Sequence, residues 1–182
     1  MIARPIQFSE VTKEFKGHRA TDSLSLEFRT GTTVGLLGLN GAGKTTCLKM
    51  MLGMLRPTSG SISILGHDVF SNGPEVRQQV GYVPEDPWLY PWMTVRQVIR
   101  FASCMYERWD DARATDLVDR FKLPPDRTIR KLSKGMRVKA ALVVALAHRP
   151  RVLVLDEPMS GLDPYCLATI SFPGWRQLEV PC

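Results

Sequence analysis

The stretch GLNGAGKT, Gly38 to Thr45, constrains the fold more than anything else in the chain. It fits G-x-x-x-x-G-K-[ST], in which a glycine-rich loop leaves a buried strand and enters a helix. Gly38, Gly41 and Gly43 let the backbone turn with unusual φ and bring N–H groups close to a polyphosphate. Leu39, Asn40, Ala42 and Thr46 complete the candidate cradle. Lys44 offers a positive point charge to the β- and γ-phosphates and Thr45 a hydroxyl to Mg²⁺, while the following helix points its positive end at the anion. A chance match in a chain of this size arises roughly once in a hundred. The context agrees: the apolar run TVGLLG, residues 33–38, predicts a strand buried on both faces, and Lys44 to Leu55 predicts a helix.

A second buried strand is predicted at RVLVLDEP, residues 151–158, with VGYVPE at 80–85 as a weaker third. Asp156 and Glu157 stand at the strand's C-terminal end, where ligands of open α/β sheets collect. There one acid can hold Mg²⁺ through water and another can polarise the attacking water. We assign Asp156 to the metal and Glu157 to the general base; the plainer reading is a strand end followed by a charged turn. Residues 6–28 look antiparallel, since Leu24, Leu26 and Phe28 alternate with Ser23, Ser25 and Glu27, and SGSISILG at 59–66 repeats the alternation. Thr94 caps a predicted amphipathic helix carrying Val95, Val98, Ile99, Ala102 and Met105. Asp110 to Phe121 predicts another, and Ser133 caps a third that runs to His148.

With 182 residues, 44% of them apolar, the chain can build one domain with a substantial core. No apolar run approaches membrane-spanning length, and the N-terminus lacks a secretory h-region, so a soluble intracellular chain is expected. The net charge of +6 is scattered, with one cluster from Arg127 to Lys139, and nucleic acid is not an expected partner. Cys47, Cys104, Cys166 and Cys182 have no metal-ligand spacing and read as reduced thiols.

Taken together, these residues resemble the ATP-binding-cassette ATPases, the nucleotide-binding subunits of ABC transporters. GLNGAGKTT is similar to their Walker A and VLVLDEP to their Walker B. LSKGM, residues Leu132, Ser133, Lys134, Gly135 and Met136, resembles their signature. SGLD, residues Ser160, Gly161, Leu162 and Asp163, resembles their D-loop. The resemblance implies a P-loop NTPase core with a mostly parallel sheet, a small antiparallel β lobe (about 1–32 and 59–70) and a helical insertion (about 89–148), all within 1–165. It implies ATP and Mg²⁺, a second ATP-binding subunit in a homo- or heterodimer, and separate transmembrane permease subunits. It also implies a cytoplasmic place, peripheral on the inner face of the membrane. Ser133 and Gly135 would meet the γ-phosphate held by the opposite subunit, although LSKGM alone is equally an ordinary N-capped helix.

The sequence departs from the family pattern at several points. Lys134 and Met136 replace the usual Gly and Gln, and Glu85 takes the place of the Q-loop Gln, still within the candidate Mg²⁺ set. Phe15 resembles the aromatic that stacks on adenine, with a core aromatic as the other reading. Trp88, Trp92 and Trp109 flank the region that faces the membrane subunit in the family, with core packing the blander account. His148, just before Arg149-Pro150, reads as a helix C-terminal residue. After Asp163-Pro164 the pattern dissolves: no His follows Glu157, Phe172-Pro173-Gly174 breaks any helix, and 166–182 reads as an atypical tail. The expectation is a cassette lacking its C-terminal strands, which binds ATP but turns it over weakly. The alternatives are a non-hydrolysing remnant that partners an intact cassette, and a soluble ABC-type ATPase unconnected with transport.

Overall fold

The computed structural model describes residues 4–36 and 43–157. Contacts divide the chain into two units, with the boundary between Arg77 and Gln78.

In the first unit β1 (Ile6–Phe15), β2 (His18–Phe28), β3 (Ser59–Ile64) and β4 (His67–Asp68) form an antiparallel sheet in the order β2-β1-β3-β4. The β1–β2 hairpin closes on Phe15↔His18 through Lys16 and Gly17, both at positive φ, a turn whose twist suits the flanking strands. Along β2, Leu24, Leu26 and Phe28 are half-buried and Ser23, Ser25 and Glu27 exposed, as the alternation predicts. Phe8, Val11, Ile62 and Ile64 enter the core, joined by Met50 and Met51 of α1 (Lys44–Met51), which contacts β3. That helix stops short of the expected Leu55. Gly53 lies at φ +69°, its N–H donates to Met50 O at 3.0 Å and that of Met54 to Lys49 O at 2.9 Å, the double closure of a left-handed helix stop.

A buried strand was expected over 33–38. Residues 32–36 instead carry no strand pairing and Leu36 is exposed. The four paired strands of this unit are antiparallel and none pairs with that run, so its apolar residues gain no ladder there. Residues 37 and 38 lie outside the described residues.

In the second unit β5 (Val80–Val83) and β6 (Val152–Leu155) pair in parallel from Val80↔Val152 to Val83↔Leu155. A short helix absent from the sequence reading, α2 (Gly73–Gln79), leads into β5. Then come α3 (Val95–Ser103), α4 (Asp111–Arg120) and α5 (Lys134–Ala147). Thr94 caps α3 as expected, and Gln97 completes a capping box: Gln97 N donates to Thr94 Oγ1 at 3.2 Å and Thr94 N to Gln97 Oε1 at 2.8 Å. Met105, counted on the apolar face, lies beyond the helix end and is exposed. Apolar on most sides, α5 is the buried centre of the unit, contacting β5, α4 and α3. Its Leu142 is fully buried, a placement worth about 1.5–3 kcal/mol for such a side chain. Among the described residues no helix is long and apolar enough to cross a membrane.

Candidate nucleotide-binding site

Gly43 opens α1 at φ +83°, and a Cβ there would run into the Ala20 backbone oxygen on β2. Glycine is therefore required twice, for conformation and for space. No side chain caps the helix and no acid stands in its first turn. Lys44 and Thr45 are the first two helical residues, at the end of the helix whose N–H groups and dipole favour an anion. Lys44 lines a cavity of about 310 Å³ together with Ala20, Thr21, Asp22, Leu24, Leu36 and others of this unit. Thr21 Oγ1 is buried without a hydrogen-bond partner among the described residues. This side of the cradle fits a polyphosphate: uncapped helix, adjacent ammonium, adjacent hydroxyl. Gly38, Leu39, Asn40, Gly41 and Ala42 lie outside the described residues.

Cys47, one turn into α1, is buried, and burial pushes its thiol up from the ordinary range. It is a packing residue and a poor nucleophile.

Phe15 is not a core aromatic. It ends β1 with 42% of its surface exposed, and Lys13 Nζ stands 5.0 Å from its ring centroid. Sequence reasoning passed over Lys13; the signal was its spacing of two from Phe15 in an extended strand.

In the second unit the parallel register brings the acidic candidates to one sheet edge. Val83↔Leu155 is the last pair, and Asp156 N donates to Val83 O at 2.9 Å. Glu85 and Glu157 each follow two residues beyond that pair, both exposed. Glu157 holds a left-handed backbone, φ +47°, which costs a non-glycine residue on the order of 1–2 kcal/mol. Burial raises the Tyr82 phenol above its usual value, and the nearby Asp156 charge adds to the effect. Among the described residues no three His, Cys, Asp or Glu side chains converge as a metal cage. Mg²⁺ needs none, since it is held by one or two carboxylates, waters and substrate phosphates.

Ser133 caps α5 by accepting from Met136 N at 3.2 Å, Leu132 is buried beneath it, and Lys134 is exposed at the first helical position. The signature candidates therefore form an N-capped helix start with its basic residue outward. Ser160, Gly161, Leu162 and Asp163 lie outside the described residues, as does the tail.

Of Trp88, Trp92 and Trp109, the first two leave the core. Trp88 is 84% and Trp92 66% exposed, and Tyr90 lies between Trp92 and Phe101 with ring centroids 5.3 and 5.4 Å away. A groove of about 430 Å³ runs there, lined by Trp92, Met93, Gln97, Arg100, Phe101 and Cys104. Trp109 is half-buried near Tyr106 and donates to Asp111 Oδ1 at 3.1 Å.

Comparison with known proteins agrees with this geometry. The family model described as ABC transporter matches residues 21–160, well over half of the chain. The Nod factor export ATP-binding protein I of Burkholderia thailandensis is 43% identical over 169 residues, covering 90% of this chain and 56% of that protein. The probable multidrug ABC transporter ATP-binding protein YbhF of Escherichia coli is 38% identical, covering 87% of this chain and 28% of its own length. The chain thus spans little more than half the length of the first of these curated relatives. A solved ATP-binding subunit of an ABC transporter superposes with a TM-score of 0.82 at 30% identity, covering 90% of this chain and 70% of that one.

Proposed function

The chain belongs to the ABC transporter family as an ATP-binding domain, and on that premise we propose that it binds Mg²⁺-ATP and works as the nucleotide-binding subunit of a transporter. One observation carries the reading: Gly43 opens α1 at φ +83° with Lys44 and Thr45 as its first helical residues, so a helix N-terminus, an ammonium and a hydroxyl come from consecutive positions. Lys44 neutralises the β- and γ-phosphates, and Phe15 stacks on the adenine. Asp156, Thr45 and Glu85 hold the metal, which when bound would offset charge on the phosphates. Glu157 polarises the attacking water from the edge where Asp156 and Glu85 also emerge.

The Burkholderia relative is named an export ATP-binding protein, which supports coupling to export; separate membrane subunits and a place on the cytoplasmic face belong to the same proposal. The exposed surface of Trp92, Tyr90 and Phe101 supports docking of such a subunit, because contiguous exposed apolar surface marks interaction sites. A second cassette completes the site, with Ser133 and Gly135 at its γ-phosphate. The cargo is set by the membrane partner.

A second reading is a nucleotide-binding partner that does not hydrolyse. It is favoured by Glu85, which adds a carboxylate at the strand ends where Asp156 and Glu157 also emerge. Loss of one transition-state group costs about 10²–10⁴ in rate, so this second reading predicts weak turnover or none. Calorimetric ATP titration followed by single-turnover hydrolysis decides. Lys44→Ala is expected to weaken ATP binding, and Glu157→Gln to spare binding while removing whatever hydrolysis exists. Unchanged affinity in Lys44→Ala would sink the cradle assignment, and brisk Glu157-dependent turnover would sink the second reading.

A further inference from the structure

We infer that Lys13 is a positioning residue for the nucleobase, acting through Phe15: it covers one face of the ring so that a purine stacks only on the other. The inference rests on the proposed stacking role of Phe15. Lys13 Nζ lies 5.0 Å from the Phe15 centroid and donates to Arg56 O at 2.8 Å, so the ammonium is tied in place over the ring. The strand end is fixed as well. Thr58 N donates to Thr12 O at 2.8 Å and Glu14 N to Thr58 Oγ1 at 3.0 Å, locking the last residues of β1 against 56–58. Phe15 remains 42% exposed beyond that brace.

Its location suits the task. Lys13 pairs with Thr21 across the hairpin, and Thr21 and its neighbour Ala20 are the residues against which Gly43 packs. The ring therefore stands one strand away from the start of α1, where the phosphates are proposed to sit. A cation on one face draws electron density from the ring, which favours an electron-rich base on the opposite face. Such an interaction at an exposed site corresponds to about two- to five-fold in affinity.

The test is calorimetric titration of the full chain with Mg²⁺-ATP and, separately, inorganic tripolyphosphate, which has the phosphates but no base. Lys13→Met keeps the stem and removes the charge; it is expected to weaken ATP by about two- to five-fold and leave tripolyphosphate unchanged. Lys13→Arg, which keeps a cation over the ring, is expected to restore ATP affinity. Phe15→Ala is expected to weaken ATP and spare tripolyphosphate. If Phe15→Ala leaves ATP affinity unchanged, the stacking reading itself is overturned and the brace with it. If Phe15→Ala weakens ATP but Lys13→Met does not, or Lys13→Met weakens both ligands equally, stacking stands and the role of Lys13 is overturned.

Discussion

A methyl group at position 43 would meet the Ala20 backbone oxygen, and main chain cannot swing aside as a long side chain can. The same methyl would sit on a backbone at φ +83°, where L-residues pay on the order of 1–2 kcal/mol. Gly43→Ala should therefore lower stability by about 2 kcal/mol or more, read as a fall in the urea midpoint, and should also reduce ATP affinity by shifting the start of α1. A variant unchanged in both would show that the helix start is not pinned to β2. The need for glycine here was legible from the spacing of GLNGAGKT; its partner Ala20 was not, because the contact joins residues that no local pattern links. Phe15 shows the same limit. Strand alternation gives the face a residue occupies, but whether the strand's end projects past the sheet depends on the neighbouring strand, and Phe15 lies at the hairpin end, where the ring is left open.

At the scale of elements, α5 combines two roles in one turn. Ser133 caps it, and the same turn is the proposed contact for a phosphate held by a second subunit. The roles separate by substitution. Ser133→Ala should cost about 1 kcal/mol for the lost cap, a melting shift of roughly 2–4 °C. Ser133→Asp should keep the cap, since aspartate accepts from the same N–H, yet set a negative charge where the anion would bind. Melting close to wild type together with loss of ATP-driven dimerisation is the expected result. If Ser133→Asp dimerises as well as wild type, the helix start is a cap and nothing more. The three helices from 95 to 147 were legible because their caps, Thr94, Asp110 and Ser133, each precede an apolar period. The unexpected α2 has only seven residues, too few for a period to emerge, and the stop of α1 turned on Gly53, which the apolar pattern running past it concealed.

For the molecule as a whole, the strands at 80–83 and 152–155 were legible as apolar runs of a parallel sheet, but that they are direct neighbours and that the chain divides after Arg77 were not, since both join segments far apart in sequence. What such assembly buries also sets the response to acid. His148 caps the end of α5, 3% exposed, stacked on Tyr106 with ring centroids 4.0 Å apart, its Nε2 without a hydrogen bond within 3.5 Å among the described residues and Nδ1 3.4 Å from Val144 O. Burial lowers its pKa, only partly opposed by the backbone of Val144 and Val80. Arg149, next in sequence, is paired with Asp110 at 2.7 Å, and Arg113 donates to Leu146 O at 3.0 Å, so the Asp110 carboxylate at this helix end is already engaged. A histidine held neutral in the fold and free to charge when unfolded stabilises fully above about pH 6.5, and that stability is lost as pH falls through the lowered folded value. Asp110 and Asp68 are also held below the ordinary carboxylate value, chiefly by backbone N–H donors from Arg113 and Ser71, so their loss comes only below about pH 4. Acid unfolding should therefore show two separate losses. His148→Phe retains a ring against Tyr106 without the titration, and should flatten the loss of stability that begins below about pH 6.5 while leaving the steeper fall below pH 4 intact. Urea midpoints across that range for both chains make the comparison, and parallel curves would show that the upper loss belongs to some other group.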